Sequence, residues 1–288
     1  MINEVKYSIH EVAPYISWSY FYHAWQVSAK SGERGVRSKE YGVRSELRHE
    51  AERLLQEFDS KYHTYARYGL FPANSDGEDI IVERGAKSDE RSTRIPMLRQ
   101  QRSLGNSQAC LCLADYVRPL SSGESDTIGL FAATVDKSME SDYADDPYMG
   151  LLAQTLADRL AEATVELMHL HVRTKDWGYA SDEHLSIEQL LHEEFIGIRP
   201  AVGYPSLPDT SLNFLLDEII DMSAIGIELT ASGMMRPHAS VSGLMIAHPA
   251  AHYFTLGRIG EDQLADYAQR RGLPIKTVRR YLSSNLIT

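Results

Sequence analysis

The chain has 288 residues and a net charge of −11, with 43% hydrophobic and 24% charged residues. This composition is typical of a soluble globular protein, and the length allows one large core, so we expect a single domain over residues 1–288 with a short N-terminal lead-in. The acidic balance argues against a nucleic-acid surface, which needs clustered Lys and Arg to neutralise phosphates.

The first half of the chain predicts one amphipathic helix and two strands. Apolar residues at helical spacing, separated by charged ones, indicate a helix from Ser45 to Tyr62. Short apolar runs rich in β-forming residues predict strands from Asp79 to Glu83 and from Thr127 to Val135. The polar segment from Lys87 to Ser107 is interpreted as mostly loop.

The second half predicts two further helices and two strands. Helical spacing runs from Pro147 to Arg173, which we expect to be the spine of the fold, and from Ser211 to Ser223. Strands are predicted from Ser240 to Ala247 and from His252 to Gly257, with a turn at Pro249 between them. Irregular alternation with adjacent strands predicts the α+β class, a single domain of mixed helices around a mainly antiparallel sheet.

The sequence carries no targeting or metal-binding pattern. The N-terminus lacks a secretory signal, and no segment reaches the about 18 apolar residues of a membrane span, so we expect a cytoplasmic protein without a membrane partner. The two cysteines, Cys110 and Cys112, would share one face if their segment were a strand. They cannot complete a zinc site, so we interpret both as buried structural thiols and predict no metal.

The C-terminal segment from Glu261 to Leu282 has two interpretations. Two short helices around a turn at Gly272, the second carrying Lys276, Arg279 and Arg280, resemble a DNA-binding helix-turn-helix. The alternative is a pair of packed terminal helices with solvated basic faces. The acidic balance of the whole chain favours this alternative.

The segment Arg199–Pro205, here called the strap, is the strongest candidate for a binding element. Its two prolines hold the chain extended, and Gly203 can adopt a positive φ. The amides between the prolines have no helix to join, so neighbouring chain or a polar ligand must supply their partners. A ligand-binding strap and a rigid surface turn both fit this pattern.

Short sequence blocks along nearly the whole chain resemble one known family. The blocks in the first half are YIxW at Tyr15–Trp18, GLFPAN at Gly69–Asn74, DGEDI at Asp76–Ile80, LRQQ at Leu98–Gln101, CLADYV at Cys112–Val117 and IGLFA at Ile128–Ala132. The later blocks are LADRLAEA at Leu156–Ala163, WGYA at Trp177–Ala180, GIRPAVGYP at Gly197–Pro205, ASVSG at Ala239–Gly243, His248-Pro249 and DYAQRRG at Asp266–Gly272. In this order they are similar to the S-adenosylmethionine-binding activation domain of cobalamin-dependent methionine synthase.

The resemblance implies a function in cofactor rescue. Such a domain binds S-adenosylmethionine and supplies its methyl group for reductive reactivation of cobalt(II) cobalamin, with an electron from a flavodoxin-like donor. The family's homocysteine, folate and cobalamin domains have no counterpart in these blocks. We therefore expect a free-standing component of a methyltransferase whose partner in trans is the cobalamin-binding domain of methionine synthase or another corrinoid protein. A non-catalytic S-adenosylmethionine-binding or structural relative is the alternative.

The strap offers groups that suit the parts of S-adenosylmethionine. Arg199 can hold the carboxylate bidentately, and the backbone of Ala201, Gly203 and Tyr204 can bond polar edges. An aromatic face at Tyr204 or Tyr253 can stabilise the sulfonium. The resemblance assigns the positions of Arg199, Ala201 and Tyr253 to the ligand site.

Three further positions complete the predicted site. Glu162 is either a solvated helix residue or, as the resemblance implies, a pocket carboxylate, and the resemblance also implies Phe254. If Tyr253 and Phe254 lie on a strand, their rings point to opposite faces. Ser17 stands where the family usually carries Asp within the ligand site, which removes one carboxylate. No catalytic side chain is predicted.

Overall fold

The computed structural model describes residues 1–27, 34–84, 92–102 and 109–287. The strands within these ranges are β1 Ile2–Ser8, β2 His63–Asp76, β3 Asp79–Glu83, β4 Ser92–Pro96, β5 Asp126–Val135, β6 Glu228–Leu229, β7 Met235–Arg236 and β8 Ser240–Met245. The helices are α1 Ile9–Val12, α2 Trp18–Ala24, α3 Arg34–Asp59, α4 Ser138–Ser141, α5 Pro147–His171, α6 Ile187–Leu191, α7 Leu212–Ile220, α8 Glu261–Arg270 and α9 Ile275–Tyr281. Among these helices none is both long and apolar enough to cross a membrane.

One antiparallel sheet organises the fold. Its strands follow the order β4-β3-β2-β5-β8, and β1 pairs with the first half of β2. The 14 residues of β2 allow it to pair with β1 from His63 to Gly69 and with β3 from Ala73 onwards, while β5 lies along its other side. The predicted class, mixed helices around a mainly antiparallel sheet, is confirmed.

The sheet separates two apolar cores. Phe131 and Ala133 of β5 face a cluster formed by α1, α2, α3 and α5, whereas Leu130 and Ala132 face a cluster formed with α7 and the strap. Because β5 is buried on both faces, its sequence is a continuous apolar run without polar alternation. A third, smaller cluster joins α8 and α9 to the body.

Several predicted elements agree with the structure. The strand Asp79–Glu83 has the predicted bounds, and β5, β8, α5 and α7 lie where apolar patterning predicted them. The helix predicted from Ser45 begins earlier, at Arg34, and ends at Asp59. The spine is α5, which continues as one π-helical turn over Val172–Asp176.

Two expectations were wrong, and the segment interpreted as mostly loop also contains a strand. The segment from His252 to Gly257 forms no strand, because it pairs with no sheet strand among the described residues and the Leu256 amide instead donates to the Pro205 carbonyl. The polar stretch from Lys87 to Ser107 contains the edge strand β4, whose outward residues are polar, while residues 87–91 and 103–107 of that stretch lie outside the described residues. Cys110 and Cys112 do not lie on a strand, and only Cys112 is buried.

The strap runs beside β8 as an irregular outer edge of the sheet. The Leu244 amide donates to the Pro200 carbonyl at 3.0 Å, and the Val202 amide donates to the Ser242 carbonyl at 2.8 Å. Ala201 lies opposite Gly243 between these two bonds. Proline lacks an N–H and is tolerated at such an edge, which explains how a Pro-containing segment joins the sheet.

The absence of a side chain at Gly243 permits this close approach. A Cβ at Gly243 would overlap the Pro200 carbonyl oxygen and come within 2.9 Å of the Ala201 Cα. Gly243→Ala should therefore lower the free energy of unfolding by about 1–3 kcal/mol, the usual cost of overpacking. Chemical denaturation followed by circular dichroism measures this change.

The matched control is Gly42→Ala in α3, where an added Cβ meets nothing within 4 Å. Alanine favours helix over glycine, so this variant should keep its stability or gain up to about 1 kcal/mol. Equal stability of the two variants would contradict the proposed tight contact between the strap and β8.

Candidate functional site

A cavity of about 1140 Å³ lies between α5, the strap, the start of α2 and the extended segment that follows β8. This volume is slightly above the range of about 300–1,000 Å³ that is usual for small-molecule sites. Of the eight predicted site residues, those that border the cavity are Ser17, Glu162, Arg199, Ala201, Tyr204, Tyr253 and Phe254. Gly203 does not border it, but has the predicted positive φ, at 90°.

One stripe of α5 supplies charged groups to the cavity. Arg159, Glu162 and Glu166 all border it, and their spacing of three and four residues places them on the same side of the helix. Only Glu162 was predicted from the sequence. The helical spacing relative to Glu162 would have identified the other two once the cavity side of the helix was known.

The edge position of the strap decides which of its amides are free. The Val202 amide bonds to β8, the Gly203 amide donates to the Leu207 carbonyl at 2.8 Å, and the Tyr204 amide donates to the Ala201 carbonyl at 3.2 Å. The amide of Ala201 points away from β8 and has no partner among the described residues. Ala201 therefore retains the free backbone donor expected of the strap, whereas the amides of Gly203 and Tyr204 are occupied by neighbouring chain.

Tyr204 and Glu162 contact each other across the cavity wall. The Tyr204 hydroxyl donates to Oε1 of Glu162. Burial and the adjacent Glu162 carboxylate raise the pKa of Tyr204, so this phenol remains a protonated donor at neutral pH. The contact fixes the carboxylate beside an aromatic ring that is 45% exposed, which leaves both groups available to a cationic ligand.

Arg199 is held at both its backbone and its guanidinium. Its amide donates to the Tyr253 hydroxyl at 3.0 Å, and Nη2 forms an ion pair with Oε1 of Glu166. Nη1 lies 3.4 Å from Nδ1 of His169, and the guanidinium carbon lies 5.2 Å from the centre of the Phe195 ring. The predicted carboxylate-binding cation is therefore already paired, and any ligand must share it with Glu166.

Ser17 lies at the mouth of the cavity immediately before α2. It occupies the N-cap position, but its hydroxyl does not cap the helix and instead lies 3.0 Å from the Ser19 hydroxyl. The neighbouring Tyr20 borders the same cavity and is 65% exposed. A neutral hydroxyl thus stands where the resemblance implies a carboxylate.

A glutamine that was not predicted as a site residue braces the opposite wall. The Gln100 side-chain amide donates to the Thr255 carbonyl at 2.8 Å and accepts from the Leu111 amide at 3.0 Å. These bonds hold the segment containing Tyr253 and Phe254, which has no sheet partner of its own. Phe254 is buried in the core and Tyr253 is partly buried beside it, and both border the cavity.

The rival functions gain no support from the described residues. No three His, Cys, Asp or Glu side chains in them gather as a metal site. In the C-terminal helix pair, Arg279 forms two bonds with Glu261, at 2.6 and 2.5 Å, and Arg270 pairs with Asp79 and Asp266. Of the three basic residues on the second helix of this pair, Arg279 is thus matched by a carboxylate.

Comparison with known proteins identifies related sequences and structures. The family model described as vitamin B12 dependent methionine synthase, activation domain, matches residues 8–272. A solved structure of the MetH reactivation domain bound to AdoHcy is similar with a TM-score of 0.90 and 35% sequence identity. The match covers 100% of this chain and 91% of that chain.

The bond between the Arg199 amide and the Tyr253 hydroxyl should stabilise the cavity wall. Tyr253→Phe leaves this partly buried amide without an acceptor, so we expect a loss of about 1–3 kcal/mol in the free energy of unfolding. The control is Tyr20→Phe, which removes a hydroxyl that has no hydrogen-bond partner among the described residues from a tyrosine that is 65% exposed, and it should cost less than about 0.5 kcal/mol. Urea unfolding compares the two, and a Tyr253→Phe variant as stable as the wild type would contradict the bracing role.

Proposed function

Since the chain belongs to the family of vitamin B12-dependent methionine synthase activation domains, we propose that its cavity binds S-adenosylmethionine for cofactor reactivation. The related MetH reactivation domain was solved with AdoHcy, which keeps the carboxylate, ammonium, ribose and adenine of S-adenosylmethionine. The observation that carries the proposal is the cavity itself. It brings Arg199 and the free Ala201 amide of the strap together with Glu162 of α5.

The cavity residues suit the charges of this ligand. We assign the carboxylate to the Arg199 guanidinium, because a planar cation bonds a carboxylate through two parallel donors. The Ala201 amide would donate to another polar edge of the ligand. The Glu162 carboxylate and the ring of Tyr204 would stabilise the sulfonium, one by opposite charge and the other by its π face.

The chain's contribution to the reaction is binding and orientation. S-adenosylmethionine, when bound, supplies a methyl group that passes directly to the cobalt nucleophile, so no general base is needed. Arg199 and the strap would fix the amino-acid end, and the aromatic groups at the mouth would keep water from the sulfonium. One electron from a flavodoxin-like donor would reduce cobalt(II) before the transfer.

The proposed partner is the cobalamin-binding domain of methionine synthase or another corrinoid protein, acting in trans in the cytoplasm. The chemistry requires a cobalamin face opposite the ligand. The exposed ring of Tyr20 beside Arg159, whose guanidinium carbon lies 6.0 Å from the ring centre, belongs to the open mouth through which such a partner would reach the methyl group.

A non-catalytic S-adenosylmethionine-binding relative is the second candidate, which Ser17 keeps open. A hydroxyl can accept a hydrogen bond from the ligand ammonium but adds no charge, whereas bonds to charged groups contribute about 1.5–3 kcal/mol. Binding weaker than in relatives with Asp at this position is therefore expected under both candidates, and only the methyl transfer distinguishes them.

Removing the Arg199 charge should weaken ligand binding. Arg199→Gln keeps a donor for Glu166 but loses the cation, so we expect S-adenosylmethionine to bind more weakly by about 1.5–3 kcal/mol in calorimetry. The control is Arg280→Ala, which changes an exposed arginine of α9 away from the cavity and should leave affinity unchanged. If Arg199→Gln and wild type bind S-adenosylmethionine equally well, the ligand carboxylate must bind elsewhere. If the wild type does not bind S-adenosylmethionine, the proposed function is contradicted.

The reactivation role is tested in trans. The chain is mixed with a cobalamin-domain protein holding cobalt(II), a flavodoxin-type reductant and S-adenosylmethionine, and we expect the absorption of methylcobalamin to grow. The electron comes from the reductant, the methyl group from S-adenosylmethionine, and AdoHcy leaves. A mixture with AdoHcy in place of the methyl donor is the control. An unchanged cobalt(II) spectrum despite measured ligand binding would support the non-catalytic candidate instead.

A further inference from the structure

A buried group of ionic side chains lies behind Arg199 and extends away from the cavity. Arg173 pairs with Glu183 through bonds of 2.6 and 3.2 Å, and its Nη1 lies 2.9 Å from Nδ1 of His169. Nη1 of Arg199 lies 3.4 Å from the same Nδ1 atom, and Arg199 also contacts Glu166. We call the five residues, Glu166, His169, Arg173, Glu183 and Arg199, the arginine cluster.

His169 must be neutral for this arrangement to exist. A guanidinium can only donate hydrogen bonds, so the Nδ1 atom that lies near both arginines is an acceptor and the proton is on Nε2. Burial, together with the positive charge of Arg173, lowers the pKa of His169 well below its ordinary value. The Nδ1 atom of the neutral ring therefore contacts two cations and links the Arg199 guanidinium to the buried Arg173–Glu183 pair.

The contacts of Arg199 use one end of its guanidinium. Nη1 contacts His169 and Nη2 contacts Glu166, while Nε has no acceptor among the described residues. In a guanidinium, Nε and one hydrogen of Nη2 form a second edge that can bond both oxygens of a carboxylate. Arg199 borders the cavity, and its side chain is 12% exposed, so a ligand can reach only part of it.

Glu166 is the member of the cluster that touches both Arg199 and the cavity. Its side chain is 10% exposed, and only Oε1 has a hydrogen-bond partner among the described residues. It lies on α5, one turn after Glu162, and the buried surroundings of that helix fix its position. The arginine side chain has many rotamers. If it is held in one rotamer before the ligand arrives, less conformational entropy is lost when the ligand binds.

We propose that Glu166 is a positioning residue that holds the Arg199 guanidinium by Nη2, so that the Nε edge is presented to the carboxylate of an amino-acid-bearing ligand. His169 supports the same orientation from Nη1. This inference rests on the proposed function, since it names how the site recognises one part of S-adenosylmethionine. In this role Glu166 does not itself contact the ligand.

The alternative role for Glu166 is competition with the ligand for the same cation, and the two roles predict opposite results. If Glu166 positions Arg199, its removal weakens the binding of ligands that have a carboxylate. If it competes, its removal strengthens that binding, because the cation is released. Decarboxylated S-adenosylmethionine separates a positioning role from a general packing role, since it keeps the adenosine, sulfonium and amine but needs no partner at Arg199.

The experiment measures the affinity of S-adenosylmethionine and of its decarboxylated analogue for wild type, Glu166→Ala and Glu166→Gln by calorimetry. We expect Glu166→Ala to weaken S-adenosylmethionine binding by about tenfold or more, the effect of one charge-assisted hydrogen bond, with less than about a twofold change for the analogue. Glu166→Gln keeps an oxygen acceptor for Nη2 and should restore most of the affinity.

Wild-type binding is measured first, so that a failure of the proposed function can be distinguished from a failure of the positioning role of Glu166. A wild type that binds neither ligand overturns the proposed function and this inference with it. If wild type binds, unchanged or tighter S-adenosylmethionine binding in Glu166→Ala, or equal losses for both ligands, overturns the positioning role alone. If Glu166→Ala does not fold, Glu166→Asp replaces it, because the shorter side chain withdraws the carboxylate by one methylene. This variant should also lose affinity for S-adenosylmethionine but not for the decarboxylated analogue. If it does not, the proposal is overturned.

Discussion

The close approach of the strap to β8 is the constraint on which the site depends. Gly243 allows the backbone at Pro200 and Ala201 to pack directly against the strand, and the two flanking hydrogen bonds fix the register. Because an edge strand has one unpaired side, this register directs the Ala201 amide away from the sheet. The same register sets Arg199 opposite α5, so one backbone contact orients both polar groups that we assign to the ligand.

The arginine cluster shows how the fold accommodates charges in its interior. Two cations, Arg173 and Arg199, are matched by two carboxylates, Glu183 and Glu166, and a neutral His169 lies between the cations. Burying a single unpaired charge costs several kcal/mol, and even a complete pair is often no more stable than apolar residues of similar volume. Stability alone therefore does not explain the cluster, whereas a fixed orientation of Arg199 at the cavity does.

The sequence predicted the parts of the fold that depend on local pattern. β5 and α5 have apolar runs that one strand or helix must bury, and both were found with nearly correct bounds. The segment containing Tyr253 also alternates buried and exposed residues, yet it is held by Gln100 and Pro205 instead of a strand, and such partners are not visible in local sequence. Glu166 was missed for a similar reason, because its proposed role depends on a contact with Arg199, 33 residues away.

In the proposed binding mode, Ser17 leaves the recognition of positive charge to the carboxylates that border the cavity, among them Glu162 and Glu166. Glu166 forms an ion pair with Arg199, whereas Glu162 accepts a hydrogen bond from the neutral phenol of Tyr204. Of these two carboxylates, Glu162 therefore has no direct cationic partner among the described residues. S-adenosylmethionine carries a methyl group and a positive charge that AdoHcy lacks, and a group that responds to this charge is one means by which a cavity distinguishes the two ligands. Glu162, held in place by Tyr204, is such a group on α5. Loss of the carboxylate at position 17 would therefore reduce affinity for both ligands through their shared ammonium, while preference for the methyl donor would still rest on Glu162 and the ring of Tyr204.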